Sequence, residues 1–294
     1  MMATVDLTKL PEIEFVPQLT VEEIVDEALH YLATEEGIEL EGAEDPAYRI
    51  VRSLAYRERI WRQDANESCR SLTLAYSTGD ALDHIGITYY LTPRLDNESD
   101  DAYRARLALA PEGSSVAGPQ NAYVFHGLSA SPDVKAIDAE GPEYDLNGTS
   151  LEPINGVEAG QVRVTVLSHV GDGTPTDELL ATVSAALNDE WVRPLTDTPI
   201  VQGATILPYA ITATLFIEPL FEPSTVLAEA QGLAESYTTT EHRLGGRVVQ
   251  SGVDQALHRP GVGKVELTGW QDVEAARNEA PYCTVITLTY EALT

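Results

Sequence analysis

Ala47–Gly86, AYRIVRSLAYRERIWRQDANESCRSLTLAYSTGDALDHIG, is the stretch whose reading decides the fold. Its periodicity predicts a helix of about 34 residues from Asp45 to Thr78, which at ~1.5 Å per residue reaches roughly 50 Å. At ~100° per residue, Ile50, Leu54, Trp61, Ala65, Leu72 and Tyr76 share one face, with Arg52, Arg59 and Arg70 nearly opposite. Six of the chain's 18 basic residues lie between Arg49 and Arg70, although the formal net charge is -29. Such a helix carries an apolar seam and an arginine face, and it calls for a partner.

Working outward, the capping chemistry predicts a second helix just before it. Thr20 is a good N-cap, Glu23 completes a capping box and Leu19 can staple onto Ile24. Asp45 caps the long helix with Pro46 in its first position. Residues 1–18, with Pro11 and Pro17, read as an extended arm. GDALDHIG then adds a helical turn that points Leu82 and Ile85 inward, and Ser99–Ala110 and Gln120–Leu128 read as short helices.

The second half changes period. Val134–Ala139 is one strand in a loop-rich segment, and QVRVTVLS, Gln161–Ser168, alternates as a clear strand. A helix follows with Thr174 as cap and Pro175 first, burying Leu180, Val183, Leu187 and Trp191. Ile200–Leu207 and Tyr209–Glu218 are strands, Ser224–Thr240 and Gly252–Arg259 helices, and Lys264–Gly269 and Cys283–Tyr290 close the chain as strands. The fold class is therefore α+β, a long-helix bundle region followed by small α+β domains with mixed and antiparallel sheets. The expected domains are 1–86, arm and helices; 87–160, a middle domain; 161–205, a central α+β segment; and 206–294, a ββααββ unit.

At 294 residues with 43% hydrophobic and 22% charged residues, the chain has enough apolar material for a sizeable core. The 47 acidic against 18 basic residues argue against nonspecific duplex binding, which needs Lys and Arg to displace counterions. The acid surplus reads as solubility, or as a surface that meets basic patches on neighbouring subunits. Cys69 and Cys283 make no disulfide framework, the N-terminus has no secretory pattern and no run is long enough to span a membrane, so cytosolic folding is expected. The sequon at Asn147 carries little meaning in that setting.

Chemistry-bearing motifs are sparse. The six histidines stand singly, without metal-ligand spacing, and neither GxGxxG nor GxxxxGK[ST] occurs, so neither metal nor cofactor is expected. Ser168, His169 and Asp172 contain the residue types of a hydrolase, but triads assemble by geometry and not adjacency, and Gly171 and Gly173 favour a turn. The arginine face has acids interspersed and no aromatic stacking platform for nucleic acid. The residues alone describe a non-enzymatic protein with one long interaction helix.

The run AYRERIWRQDANE, Ala55–Glu67, followed by GDALDHIG, resembles the J-type baseplate assembly proteins of contractile-tailed phages. The resemblance continues in order through SSVAGPQNAYVFHGLSA, LLATVSAALNDEWVRPLTDTPIVQGA, YAITATL, EHRLGG and ALHRPGVGKVEL. It implies a wedge subunit of the baseplate with no catalytic residues, cofactor or metal. In that family two J-like chains and one I-like chain join their helices in a bundle, and the globular parts link wedges into a ring around the hub. Carried over, Ile50, Leu54, Trp61, Ala65, Leu72 and Tyr76 would form the bundle seam, and Arg52, Arg57, Arg59, Arg62 and Arg70 its polar partner-binding face. The implied partners are a second copy, an I-like and a small lysozyme-like wedge protein, neighbouring wedges, hub and sheath, with neither nucleic acid nor membrane. The implied location is the particle baseplate, after assembly in the host cytoplasm. A tail-associated hydrolase using Ser168, His169 and Asp172, or a wedge homologue in a secretion or toxin-delivery apparatus, are the alternatives.

Overall fold

Two helix starts follow directly from side-chain chemistry. A computed structural model of the chain describes residues 7–40, 42, 44–115, 117–145 and 152–293; the sequon at Asn147 lies outside them, as do residues 1–6 of the arm. The chain divides into two compact units, the first comprising residues up to Arg94 with Glu98–Ala108, the second Leu95–Asn97 with Leu109 onward.

In the first unit, helix α1 (Val21–Glu35) opens on the predicted capping box: Glu23 N donates to Thr20 Oγ1 at 3.2 Å, and Thr20 N donates to Glu23 Oε2 at 2.8 Å. The bonds its carboxylate accepts from Thr20 N and then from Thr20 Oγ1 hold Glu23 below its ordinary range. Helix α2 (Pro46–Arg70) starts where Asp45 accepts from Ala47 N at 2.8 Å, with Pro46 supplying no orphan N–H. It ends at Arg70, not Thr78, so it spans 25 residues and roughly 38 Å. Hydroxyls stop it. Ser71 and Thr73 donate to Ser68 O and Arg70 O, while Leu72 N and Thr73 N turn to carbonyls three residues back. Short polar side chains of this kind compete with the i to i−4 ladder.

The α1–α2 core is Ile24, Val25 and Ala55, with Leu19, Tyr48 and Val51 at its margin. A separate core of Leu82, Tyr103 and Leu107 joins α3 (Gly79–Tyr90) to α4 (Asp100–Gly113). GDALDHIG is thus the start of a three-turn helix, with Leu82 and Ile85 buried as expected. Tyr103 donates to Thr92 O at 2.6 Å across Gly86, whose missing side chain leaves the room: a Cβ there would stand 1.8 Å from the Tyr103 oxygen. Arg94 and Arg106 both lie against the Tyr103 ring, at 4.6 and 5.3 Å from its centre. They are held by Asp83 and Asp100 and by the buried Glu98, respectively.

In the second unit, a first sheet runs β1 (Val134–Glu140), β2 (Gln161–Ser168), β3 (Thr198–Gly203), the first pair antiparallel and the second parallel. Its strands come from both sides of residue 160. Helices α5 (Gln120–Ala130) and α6 (Asp177–Leu187) cover it, with Tyr123, Ile137, Val164, Val166, Val183 and Leu187 in the core. The α6 cap is Thr176, which accepts from Leu179 N, and not Thr174; Thr174 N is taken up by Asp172 in the preceding turn. The buried stripe is Leu179, Val183 and Leu187, and Trp191, beyond the helix end, is 83% exposed.

The strand break falls at Ala204 and not between Leu207 and Tyr209, giving β4 (Thr205–Ile217) as a single long strand with Pro208 inside it. Helix α7 (Pro223–Glu241), β5 (Arg247–Val248), α8 (Gln250–Leu257), β6 (Val262–Leu267), β7 (Val273–Glu274) and β8 (Glu279–Ala292) complete the chain. The second sheet has the order β6-β4-β8, antiparallel then parallel, and Ile211, Ala213, Leu215 and Ile217 of β4 bury against Val226, Ala230 and Ala234 of α7. The class is α+β, with an N-terminal helical region and small mixed sheets.

The Gly86–Tyr103 approach makes a specific demand. Gly86→Ala is expected to destabilise the chain by about 1–3 kcal/mol, because the tyrosine must leave its bond to Thr92. Urea unfolding followed by circular dichroism measures it; an unchanged midpoint refutes the packing argument.

Candidate interaction surface

Helix α2 is amphipathic twice over. Tyr48, Val51 and Ala55 face α1, and Asn66 continues the same side, only 2% exposed. Ile50, Leu54 and Trp61 point elsewhere and are 62%, 60% and 61% exposed. Each large apolar side chain left in water forgoes about 1.5–3 kcal/mol of burial, so this stripe carries latent binding energy. The Arg57 guanidinium lies 5.4 Å from the centre of the Trp61 ring, a cation–π pair on a side chain that remains largely exposed.

Of the remaining expected seam residues, Ala65 continues the stripe within α2, and the other two do not. Ala65 is half-buried. Leu72 and Tyr76 lie past the end of α2; Leu72 is 76% exposed, whereas the Tyr76 hydroxyl donates to Leu10 O at 3.1 Å. The helix therefore presents a shorter seam, centred on Leu54 and Trp61.

The five arginines divide by role. Arg52 is exposed, 3.8 Å from Glu22, and Arg59 lines an open groove with Gln18, Leu19 and Tyr56. Arg57 serves Trp61. Arg62 and Arg70 instead hold the arm: Arg62 pairs with Glu58 at 2.7 Å and donates to Pro17 O, and Arg70 donates to Ile13 O while pairing with Glu12. Between them, Asn66 accepts from Phe15 N at 2.8 Å and Val16 N at 2.9 Å and donates to Val16 O at 2.8 Å. Asn66 was not singled out by periodicity, which looks for apolar residues. The signal present was the spacing of Arg62, Asn66 and Arg70, four apart on one stripe.

Ser168, His169 and Asp172 do not assemble as a triad. Ser168 Oγ donates to Asp133 O and accepts from Val170 N, and Asp172 Oδ1 accepts from Thr174 N. Both side chains close the turn. Burial, then the neighbouring Lys135 charge, pushes the His169 imidazole below its ordinary value. Among the described residues no three His, Cys, Asp or Glu side chains are grouped to hold a metal ion, and no helix is long and apolar enough to cross a membrane.

Comparison with known proteins matches the baseplate J-like N-terminal domain over residues 44–100 and the baseplate J-like central domain over residues 115–203. The first match opens on α2 and so contains its exposed seam. Baseplate protein J of Escherichia phage P2 is 36% identical over 308 residues, an alignment that covers 96% of this chain and 96% of that protein.

The clamp on the arm is open to a direct check. Asn66→Ala removes three hydrogen bonds to the arm backbone, and the amides of Phe15 and Val16 should then exchange with solvent roughly a hundredfold faster. Exchange at native rates in the variant removes Asn66 from the role of clamp.

Proposed function

This chain belongs to the baseplate J-like family, and from that premise we propose that it is a non-catalytic structural subunit of a contractile-tail baseplate, located in the assembled particle. Its wedge contact is the exposed stripe of α2, Ile50, Leu54 and Trp61, which lies down in a bundle with a second copy and an I-like chain. The observation that carries this is the exposure of three large apolar side chains on a helix whose other side is already packed. Arg57 shields the Trp61 ring before assembly, and Arg52 and Arg59 offer charge to acidic groups on partner helices. The second unit then carries contacts to neighbouring wedges, hub and sheath, and a small lysozyme-like protein joins the same wedge.

Burying a stripe of this size takes Ile50, Leu54 and Trp61 out of water together, so association is driven mainly by the hydrophobic term, with the arginines setting orientation. Trp61 is the anchor by size. Co-expression with the I-like partner tests this. The wild-type chain should co-purify as a heteromeric complex, and Trp61→Ala should weaken binding by about 2–4 kcal/mol while the free chain keeps its unfolding midpoint. A complex of undiminished affinity in both Trp61→Ala and Leu54→Asp removes the seam from the wedge contact.

A further inference from the structure

Within the second unit, the face of β1 turned away from α5 and α6 meets the C-terminal half at a junction with an apolar middle and polar ends. The middle is Leu167, Ala204 and Ala280, with Ala136, Ile206 and Leu244 at its margin. At one end Arg277, from the segment before β8, donates to the Asp138 carboxylate at 2.8 and 3.1 Å. At the other end Lys135 is the extra residue of a bulge, between Val134, which pairs with Ser168, and Ala136, which pairs with Leu167. A bulge re-aims a side chain. This one carries Lys135 to His242, the residue that ends α7, with Nζ 3.0 Å from Nδ1.

Both partners are half-buried. An ammonium group has only protons to offer, so Nδ1 accepts and the neutral imidazole keeps its own proton on Nε2. Nε2 is buried at Gly173, where an added Cβ would stand 2.8 Å away, and the Asp172 carbonyl faces it without completing a well-formed bond. Tyr282 of β8 meets the imidazole edge to face, 5.3 Å between ring centres. The nearby acids have other partners. Glu241 accepts from Arg243 and from Arg247 N, Asp172 Oδ1 accepts from Thr174 N, and Asp133 acts on His169, which shares the Lys135 charge from the turn after β2. Burial, and after it the Lys135 charge, hold the His242 imidazole below its ordinary value against the opposing pull of Asp172.

We propose that Lys135 and His242 form an acid-released latch, which holds β1 and the turn after β2 against the end of α7 near neutral pH and opens that end of the junction when the imidazole gains a proton. The added proton falls on Nδ1, the atom that receives Lys135, and turns an acceptor into a donor facing an ammonium group. The pair then loses its hydrogen bond and sets two positive charges across the same 3.0 Å. Opening takes His242 into water, where an imidazole titrates at about 6.5. Because the closed ring takes a proton less readily than the open one, the junction has its full strength above that value and weakens as pH falls below it. The other end does not share this response, since the Arg277 guanidinium keeps its charge throughout. Acid therefore loosens the junction from the Lys135 end. The inference concerns the interior of the second unit and does not rest on the α2 seam.

Two measurements on the full chain test the latch. Titration of histidine-labelled protein by NMR should place the His242 midpoint below the ordinary imidazole value, and Lys135→Met should raise it. With Cys69 and Cys283 replaced by serine, a thiol introduced by Ala204→Cys, at a position 8% exposed in the apolar middle, reports opening. Its labelling rate, divided by that of free cysteine at the same pH, should rise about tenfold between about pH 7.5 and about pH 5. His242→Gln, whose side chain still accepts from Lys135 but does not titrate, should lose most of that rise. A His242 midpoint at or above the ordinary value, a midpoint unmoved by Lys135→Met, labelling indifferent to pH, or an equal rise in His242→Gln overturns the proposal. Where His242→Gln fails to fold, the titrations with and without Lys135→Met decide.

Discussion

A helix of 25 residues cannot be covered by one of 15. Helix α2 is roughly 38 Å long and α1 roughly 22 Å, so α1 buries Val51 and Ala55 and leaves the second half of α2 to something else. The arm takes that half, mostly through its backbone, with the Glu12 carboxylate adding an ion pair to Arg70. Asn66 is placed to bind backbone on both its oxygen and nitrogen, and Arg62 and Arg70 extend the same contact on either side. An extended segment has no internal partners for its N–H and C=O groups, and α2 supplies them. The inner side of α2 is thereby satisfied, and the outer stripe of Ile50, Leu54 and Trp61 is left exposed.

Local chemistry was legible in the sequence; its range was not. The Thr20 capping box and the Asp45–Pro46 start depend on residues within four positions of each other, and both stand as read. The far end of α2 was overrun because Leu72 and Tyr76 keep the apolar phase of the helix, while the hydroxyls of Ser71 and Thr73 have already diverted the backbone. Trp191 failed for a related reason, since it continues the period of α6 after that helix has ended. In the candidate surface, Ile50, Leu54 and Trp61 were visible from spacing alone. The clamp was not, because the arm gives no period to match and contacts some 50 residues apart have no local signature.

Buried charge in the first unit fixes positions more than it adds stability. Arg106 and Glu98 are nearly inaccessible and 2.6 Å apart, and a pair of that kind recovers in Coulomb energy about what it loses in hydration. What it does provide is placement: with Arg94 it packs on the Tyr103 ring, whose hydroxyl reaches Thr92 O through the space kept by Gly86. The chain spends scarce basic residues on such tasks. Arg62, Arg70, Arg94, Arg106, Arg163 and Arg277 all pair with carboxylates of their own chain; each pair removes one charge of either sign, so the net surplus stands while fewer basic side chains remain to offset it locally.

That surplus shapes where contacts can form. At physiological ionic strength repulsion between exposed charges reaches about 8 Å, so it acts at close approach, when two surfaces are about to touch. Over most of this chain the approach of another acidic surface is opposed. The α2 stripe differs, because its apolar side chains sit among Arg52, Arg57 and Arg59. We read that combination as suited to an acidic or mixed partner surface. An excess of negative charge elsewhere thus works as a filter: it opposes the approach of acidic surfaces over most of the chain more than at this stripe, where basic side chains flank the exposed apolar ones.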